Sequence, residues 1–176
     1  MVEILQEKKV YQRLVELGKN SRVVKTAHFN SAQRKQKIYR VLGIVIIVVN
    51  VLIVSPLINL VFSNDPDKIG IAVKFLAIIS ASLASIQTLF NWQKEADKHL
   101  SAGESYTKIY HRVSTASAKY EDELISTQDL ILELENLQNE YLEANTNYQL
   151  CIPSDYDLNK AKEKIRVRTL SKQTLK

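Results

Sequence analysis

Apolar residues in this chain are concentrated rather than spread. One uncharged stretch runs from Val41 to Ser63, and a second runs from Ile69 to Trp92 with Lys74 as its single charge. A helix rises about 1.5 Å per residue, so about 20 apolar residues cross a hydrocarbon layer of about 30 Å. Both stretches reach that length. Asn64, Asp65, Pro66, Asp67 and Lys68 leave room only for a tight turn between them. The pattern predicts two antiparallel spanning helices. The alternative, a pair of helices buried in a soluble core, would need a protein shell that a chain of 176 residues can hardly supply.

The polar flanks carry a different period. After the second stretch, Tyr106, Ile109, Val113, Ala116 and Tyr120 recur at intervals of three and four. Leu130, Leu134, Leu137, Tyr141, Ala144 and Tyr148 do the same. Such stripes bury one helix face against another, and a structural bundle is a simpler use for them than a partner-docking groove. Glu121-Asp122-Glu123 reads as the turn between the two helices, Ser126 with Asp129 as a capping box, and Pro153 as the end of the second helix. The second span is expected to continue without a stop past Trp92 to Tyr120, with at most a bend at Gly103. Ahead of the first span, Val10, Leu14 and Leu17 form a short stripe, Gly18-Lys19-Asn20 reads as a break, and Pro56 as a kink within the span. Ser154 caps a short last helix carrying Leu158, Ala161 and Ile165, with disorder expected beyond Arg168.

The fold class that follows is all-α: a two-helix transmembrane hairpin continuing into a cytoplasmic helical bundle or coiled coil. Four regions are expected: a basic helical arm over 1–37, the hairpin over 38–93, an antiparallel helical hairpin over 94–153, and a short helix with a basic tail over 154–176.

Charge refines this picture. The net of +5 divides into +7 over 1–40, zero over 41–93, −6 over 94–153 and +4 over 154–176. Arg34, Lys35, Lys37 and Arg40 precede the first span, and Lys94 and Lys98 follow the second. Lysine and arginine concentrate on the cytoplasmic side of a membrane, so both termini are expected there. The same six residues are placed against anionic lipid headgroups. Pairing with the acidic segment is a further use for them. Nucleic-acid binding is not expected, because no aromatic residues interleave the basic ones. The first 20 residues carry Glu3, Glu7, Lys8, Lys9 and Arg13 and lack the apolar core of a signal peptide. Lys74 can extend toward the outer headgroups, or mark a pore mouth.

Candidate chemistry is sparse. His99 and His111 are not spaced as ligands on one helix face, and the chain has a single cysteine, Cys151. No glycine loop suited to phosphate occurs. Catalytic residues, bound metal and cofactors are all expected to be absent. The informative polar residues lie inside the apolar stretches. Ser80, Gln87 and Asn91 share one face of the second span, Asn50 and Asn59 belong to the first, and amides in hydrocarbon need partners or water. Beside them runs a row of small residues, Ala77, Ala81, Ser85 and Thr88, which permits close helix contact. Two readings remain open. The polar residues line a pore, which two helices cannot enclose without a homo-oligomer, or they hold helices together by hydrogen bonds.

The segment KTAHFNSAQRKQKIYRVLGI leads directly into the first span, and EADKHLSAGESYTKIYHRV continues from the second. With Phe29, Arg34, Ala96, His99, Tyr106 and the region of Ile109, these segments resemble the bacterial SLATT domain over roughly residues 20–150. That family is associated with SMODS nucleotidyltransferases and SLOG nucleotide sensors. The resemblance implies a pore-forming effector of an anti-phage or conflict system in the bacterial inner membrane. It also implies a soluble partner that senses or makes nucleotides, or a reverse transcriptase. A non-conducting anchor that docks a soluble partner is the alternative function. Residues 154–176 fall outside the resemblance.

The charge distribution makes a direct prediction about topology. A cysteine placed at Asn64 should react with a membrane-impermeant thiol reagent on intact cells while Cys151 stays unlabelled. The reverse pattern rejects the arrangement.

Overall fold

The computed structural model describes residues 2–55 and 65–174, with side chains over 7–55 and 65–171. Five helices follow one another: α1 Val2–Val54, α2 Pro66–Phe90, α3 Trp92–Glu121, α4 Thr127–Asn147 and α5 Asp155–Thr174. The fold is all-α, with no strand among the described residues. Pro56 and Asn59 lie outside those residues. The chain divides into two compact units, one formed by residues up to Ala32 together with Asp97 onward, the other by Gln33–Ala96.

In the first unit α1, α3 and α4 pack around one apolar core. Leu14, Tyr106, Ile109, Val113, Ala116, Leu130, Leu134, Leu137 and Ala144 are all buried in it. Val10, Leu17, Tyr120 and Tyr141 close its margins. Every position of the two stripes that the spacing marks between Tyr106 and Ala144 is thus in the core or against it. Contacts run in opposite order along the helices. Tyr120 meets Thr127, Arg112 meets Glu133 at 2.7 Å and also Glu140, and Tyr106 Oη donates to Asn145 Oδ1 at 2.6 Å. So α3 and α4 are antiparallel. Tyr11 donates to Glu121, Tyr120 donates to Glu7, and Lys25 Nζ stands 4.1 Å over the Tyr110 ring, which makes α1 antiparallel to α3 as well. The N-terminal segment is therefore a member of this bundle, whereas the sequence set residues 1–37 apart as an arm.

Helix ends follow from their caps. Ser126 and Asp129 make the expected reciprocal capping box on α4. Glu123 takes φ 56° where α3 closes. Ser154 Oγ accepts from the Asp157 N–H at 3.3 Å and donates to Asp157 Oδ2 at 2.8 Å, starting α5. α4 stops at Asn147, ahead of Pro153. α5 continues to Thr174, past the expected limit at Arg168, through Thr169-Leu170-Ser171-Lys172-Gln173-Thr174.

Two glycines change role. The expected break at Gly18-Lys19-Asn20 is absent, and α1 runs straight through it. Gly18 is buried, and a Cβ there would lie 2.7 Å from Val113 Cγ1. At Gly103 a Cβ would lie 2.8 Å from the Phe29 ring. Both are points of close approach between α1 and α3. The interruption that does occur is at Asn91, with φ 43° and ψ 44°, which ends α2 before α3 begins. Asparagine is among the few residues other than glycine that enter the left-handed region readily. The single long helix expected across Trp92 is accordingly two helices.

The second unit is a helix pair formed by the second half of α1 and α2. Asp65 caps α2 by accepting from the N–H groups of Asp67 and Lys68, with Pro66 in the first turn. Both helices are long and apolar enough to cross a membrane. Their most apolar windows are 0% and 6% buried, so they are not core helices within this one chain.

Gly18→Ala should destabilise the protein although alanine favours helix by about 1 kcal/mol over glycine. Val113 is β-branched and stiff within its helix, so overpacking of about 1–3 kcal/mol should outweigh that gain. Thermal unfolding should show a lowered Tm, partly restored when Val113→Ala is added. An unchanged or raised Tm for Gly18→Ala contradicts the close contact.

Candidate functional site

The helix pair presents three kinds of surface. Ile71, Phe75, Ile78 and Leu89 on α2 and Val41, Ile44, Ile47, Val48 and Val51 on α1 are exposed. A seam of half-buried residues joins the helices. On α2 it follows Ile69, Val73, Leu76, Ser80, Leu83 and Gln87 at intervals of three and four. The third surface lies on the flank of α2, where Ala77, Ala81, Ser85 and Thr88 are all exposed. Ser85 and Thr88 satisfy their hydroxyls locally by donating to the carbonyls of Ala81 and Ala84.

The candidate pore residues separate on this framework. Ser80 is buried in the seam, and its Oγ donates to Asn50 Oδ1 at 2.8 Å across the helix pair. Gln87 is half-buried in the same seam, its Nε2 3.9 Å from where a Cβ on Gly43 would stand. Asn91 is exposed and serves as the left-handed cap of α2. Asn59 lies outside the described residues. The structure therefore brings Asn50 to Ser80 and places Gln87 on the same seam two turns farther along.

Arg34, Lys35, Lys37, Arg40 and Lys94 belong to this unit, and Lys98 to the other. Arg34, Lys37, Arg40, Lys94 and Lys98 are exposed, while Lys35 is half-buried and ion-paired with Glu95. Phe90 and Trp92 stack at 5.0 Å between ring centroids on either side of Asn91. That arrangement of aromatic and basic side chains suits a membrane–water boundary.

A second cluster, in the first unit, was not legible from spacing. His28 on α1 and His99 on α3 are both buried, with their Nδ1 atoms 3.1 Å apart. Cys151, in the loop between α4 and α5, brings its Sγ within 4.8 Å of both rings. These three residues meet only by tertiary packing, so no spacing along the chain connects them. Burial, and then the neighbouring His99, push the His28 imidazole down to about 4, so it is neutral at pH 7. Tyr106 stacks on His28 at 5.6 Å, and burial pushes its phenol up to about 12. Asp157, also buried, accepts from Ser31 Oγ at 2.7 Å, and its carbonyl accepts from Asn30 Nδ2 at 3.2 Å. The start of α5 is thereby tied to α1 one turn beyond His28.

No family model, curated protein or solved structure matches this chain.

The Asn50–Ser80 bond can be measured. A double-mutant cycle of Asn50→Ala and Ser80→Ala, read by unfolding in detergent, should give a coupling of about 0.6–1.7 kcal/mol, the range for hydrogen bonds between membrane helices. Zero coupling would mean that the two side chains do not bond in the folded protein.

Proposed function

We propose that this chain is a pore-forming membrane effector of the SLATT type, which oligomerises in a bacterial inner membrane and permeabilises it on a cytoplasmic signal. The observation that carries this reading is the pair of apolar helices, long enough to cross a membrane, whose outward side chains are exposed. Such a surface is stable in hydrocarbon and not in water. The exposed row Ala77, Ala81, Ser85 and Thr88 supplies a flank on which a second copy can seat closely, since small residues let helix backbones approach. In the assembled state Gln87 and Asn91 offer amides at the end of the helix pair that carries Trp92 and the basic residues, where a water path would enter. Both termini, the helical unit and the six basic residues belong on the cytoplasmic side in this reading. A soluble nucleotide-sensing, nucleotidyltransferase or reverse-transcriptase partner would deliver the signal. The chain acts without enzymatic chemistry.

A second reading has a specific observation in its favour. Because Ser80 bonds Asn50 within one chain, those polar atoms are satisfied without a water path, as in a non-conducting anchor that docks a partner through its helical unit.

Ion flux from liposomes and oligomer size, measured on the same preparation, separate the two readings. Wild-type protein should leak ions as an oligomer. Ala81→Ile should reduce oligomer size and abolish leakage. Gln87→Leu should keep assembly and lose flux, because a leucine ring dewets a narrow passage. Intact Gln87→Leu oligomers with full conductance remove Gln87 from the path. Wild-type oligomers that never leak, in liposomes or in expressing cells followed by a potential-sensitive dye, leave the anchor.

A further inference from the structure

We propose that His28, His99 and Cys151 form a binding site for a borderline divalent metal ion, zinc foremost. The three residues come from α1, α3 and the α4–α5 loop, and one ligand atom of each lies within 4.8 Å of the others. The Nδ1–Nδ1 separation of 3.1 Å is close to that of two nitrogens on one tetrahedral zinc, which stand roughly 3.3–3.4 Å apart when Zn–N is about 2.0–2.1 Å. A thiolate on the same ion lies roughly 3.5 Å from each nitrogen, so Cys151 has only a short distance to close. It stands in non-helical backbone, where its side chain can turn.

The loop that carries Cys151 is held there independently of any ion. Asp157 anchors the start of α5 to Asn30 and Ser31 of α1. Ser154, three residues after the cysteine, donates to the same carboxylate oxygen as Ser31. The ligands are thus gathered before the metal arrives, which lowers the ordering that binding must supply. Two imidazoles and a thiolate are the donors that zinc and the later first-row metals select, whereas calcium and magnesium take oxygen. Each imidazole gives its Nδ1 lone pair and keeps its proton on Nε2. The thiol proton leaves to solvent as the sulfur–metal bond forms. Three protein ligands leave a fourth position for water or another donor. The bound ion would cross-link three elements that are far apart in sequence and favour the folded form of this unit.

The test uses the full-length, untagged chain in detergent, stripped with a chelator and titrated with cobalt(II) alone. The expected result is one tightly held cobalt per chain, with tetrahedral d–d bands and a thiolate-to-cobalt charge-transfer band, all bleached by zinc. Cys151→Ser lies in a loop and should keep the helical circular dichroism while losing the charge-transfer band. His99→Gln should lose the tetrahedral spectrum, and zinc should raise the Tm of wild type but not of Cys151→Ser. Absence of retained cobalt, an octahedral spectrum without a thiolate band, or the wild-type spectrum in folded Cys151→Ser would each overturn the site.

Discussion

The helical unit depends on how closely α1 approaches α3. Gly18 lies under Val113 and Gly103 under Phe29, so at two points along the seam one helix has no side chain between its backbone and its neighbour. This contact seats Leu14 in the core and sets Lys25 over Tyr110. It also turns the His28 ring toward His99 and Tyr106. Any side chain larger than hydrogen at these glycines would push the helices apart, and everything farther along α1 would move with it. The ring nitrogens of His28 and His99 are within bonding distance beside the contact of Gly103, one turn from His99, with Phe29, the neighbour of His28.

The other unit has the opposite economy of contacts. Its helices bury little, and the specific polar link described between them is Ser80 to Asn50. In water an apolar pair of this kind would be driven to bury its outer faces. In hydrocarbon that force vanishes, and small residues and a few hydrogen bonds decide which surfaces meet. On the proposed function, the exposed Ala77, Ala81, Ser85 and Thr88 would seat a second chain, and the bulky aliphatic face would meet lipid.

Local spacing carried what was local. The stripes from Tyr106 and from Leu130 recur every three or four residues, and that period is enough to place them on a buried face whatever they pack against. The capping box at Ser126 is legible for the same reason, since its partner is three residues away. Glycine and asparagine were ambiguous because each has two uses. Gly18 can end a helix or permit a close contact, and Asn91 can line a polar face or take the left-handed conformation. Only the neighbour across the seam, or the backbone angle, distinguishes them. His28 and His99 are 71 positions apart, so no spacing rule connects them, and a cysteine in a loop has no period at all.

The helical unit is assembled from both sides of the apolar pair: residues up to Ala32 meet residues from Asp97 onward. Synthesis runs from the N-terminus, so the stripe of Val10, Leu14 and Leu17 emerges with no partner and waits until the whole apolar segment has been made. The last ties come later still, when Asp157 reaches Ser31 across 126 positions of chain. Long-range closure of this kind is slow and leaves apolar surface open in the meantime. The order of events is therefore imposed by connectivity. The apolar helices must be made first, and the helical unit can complete itself only afterward.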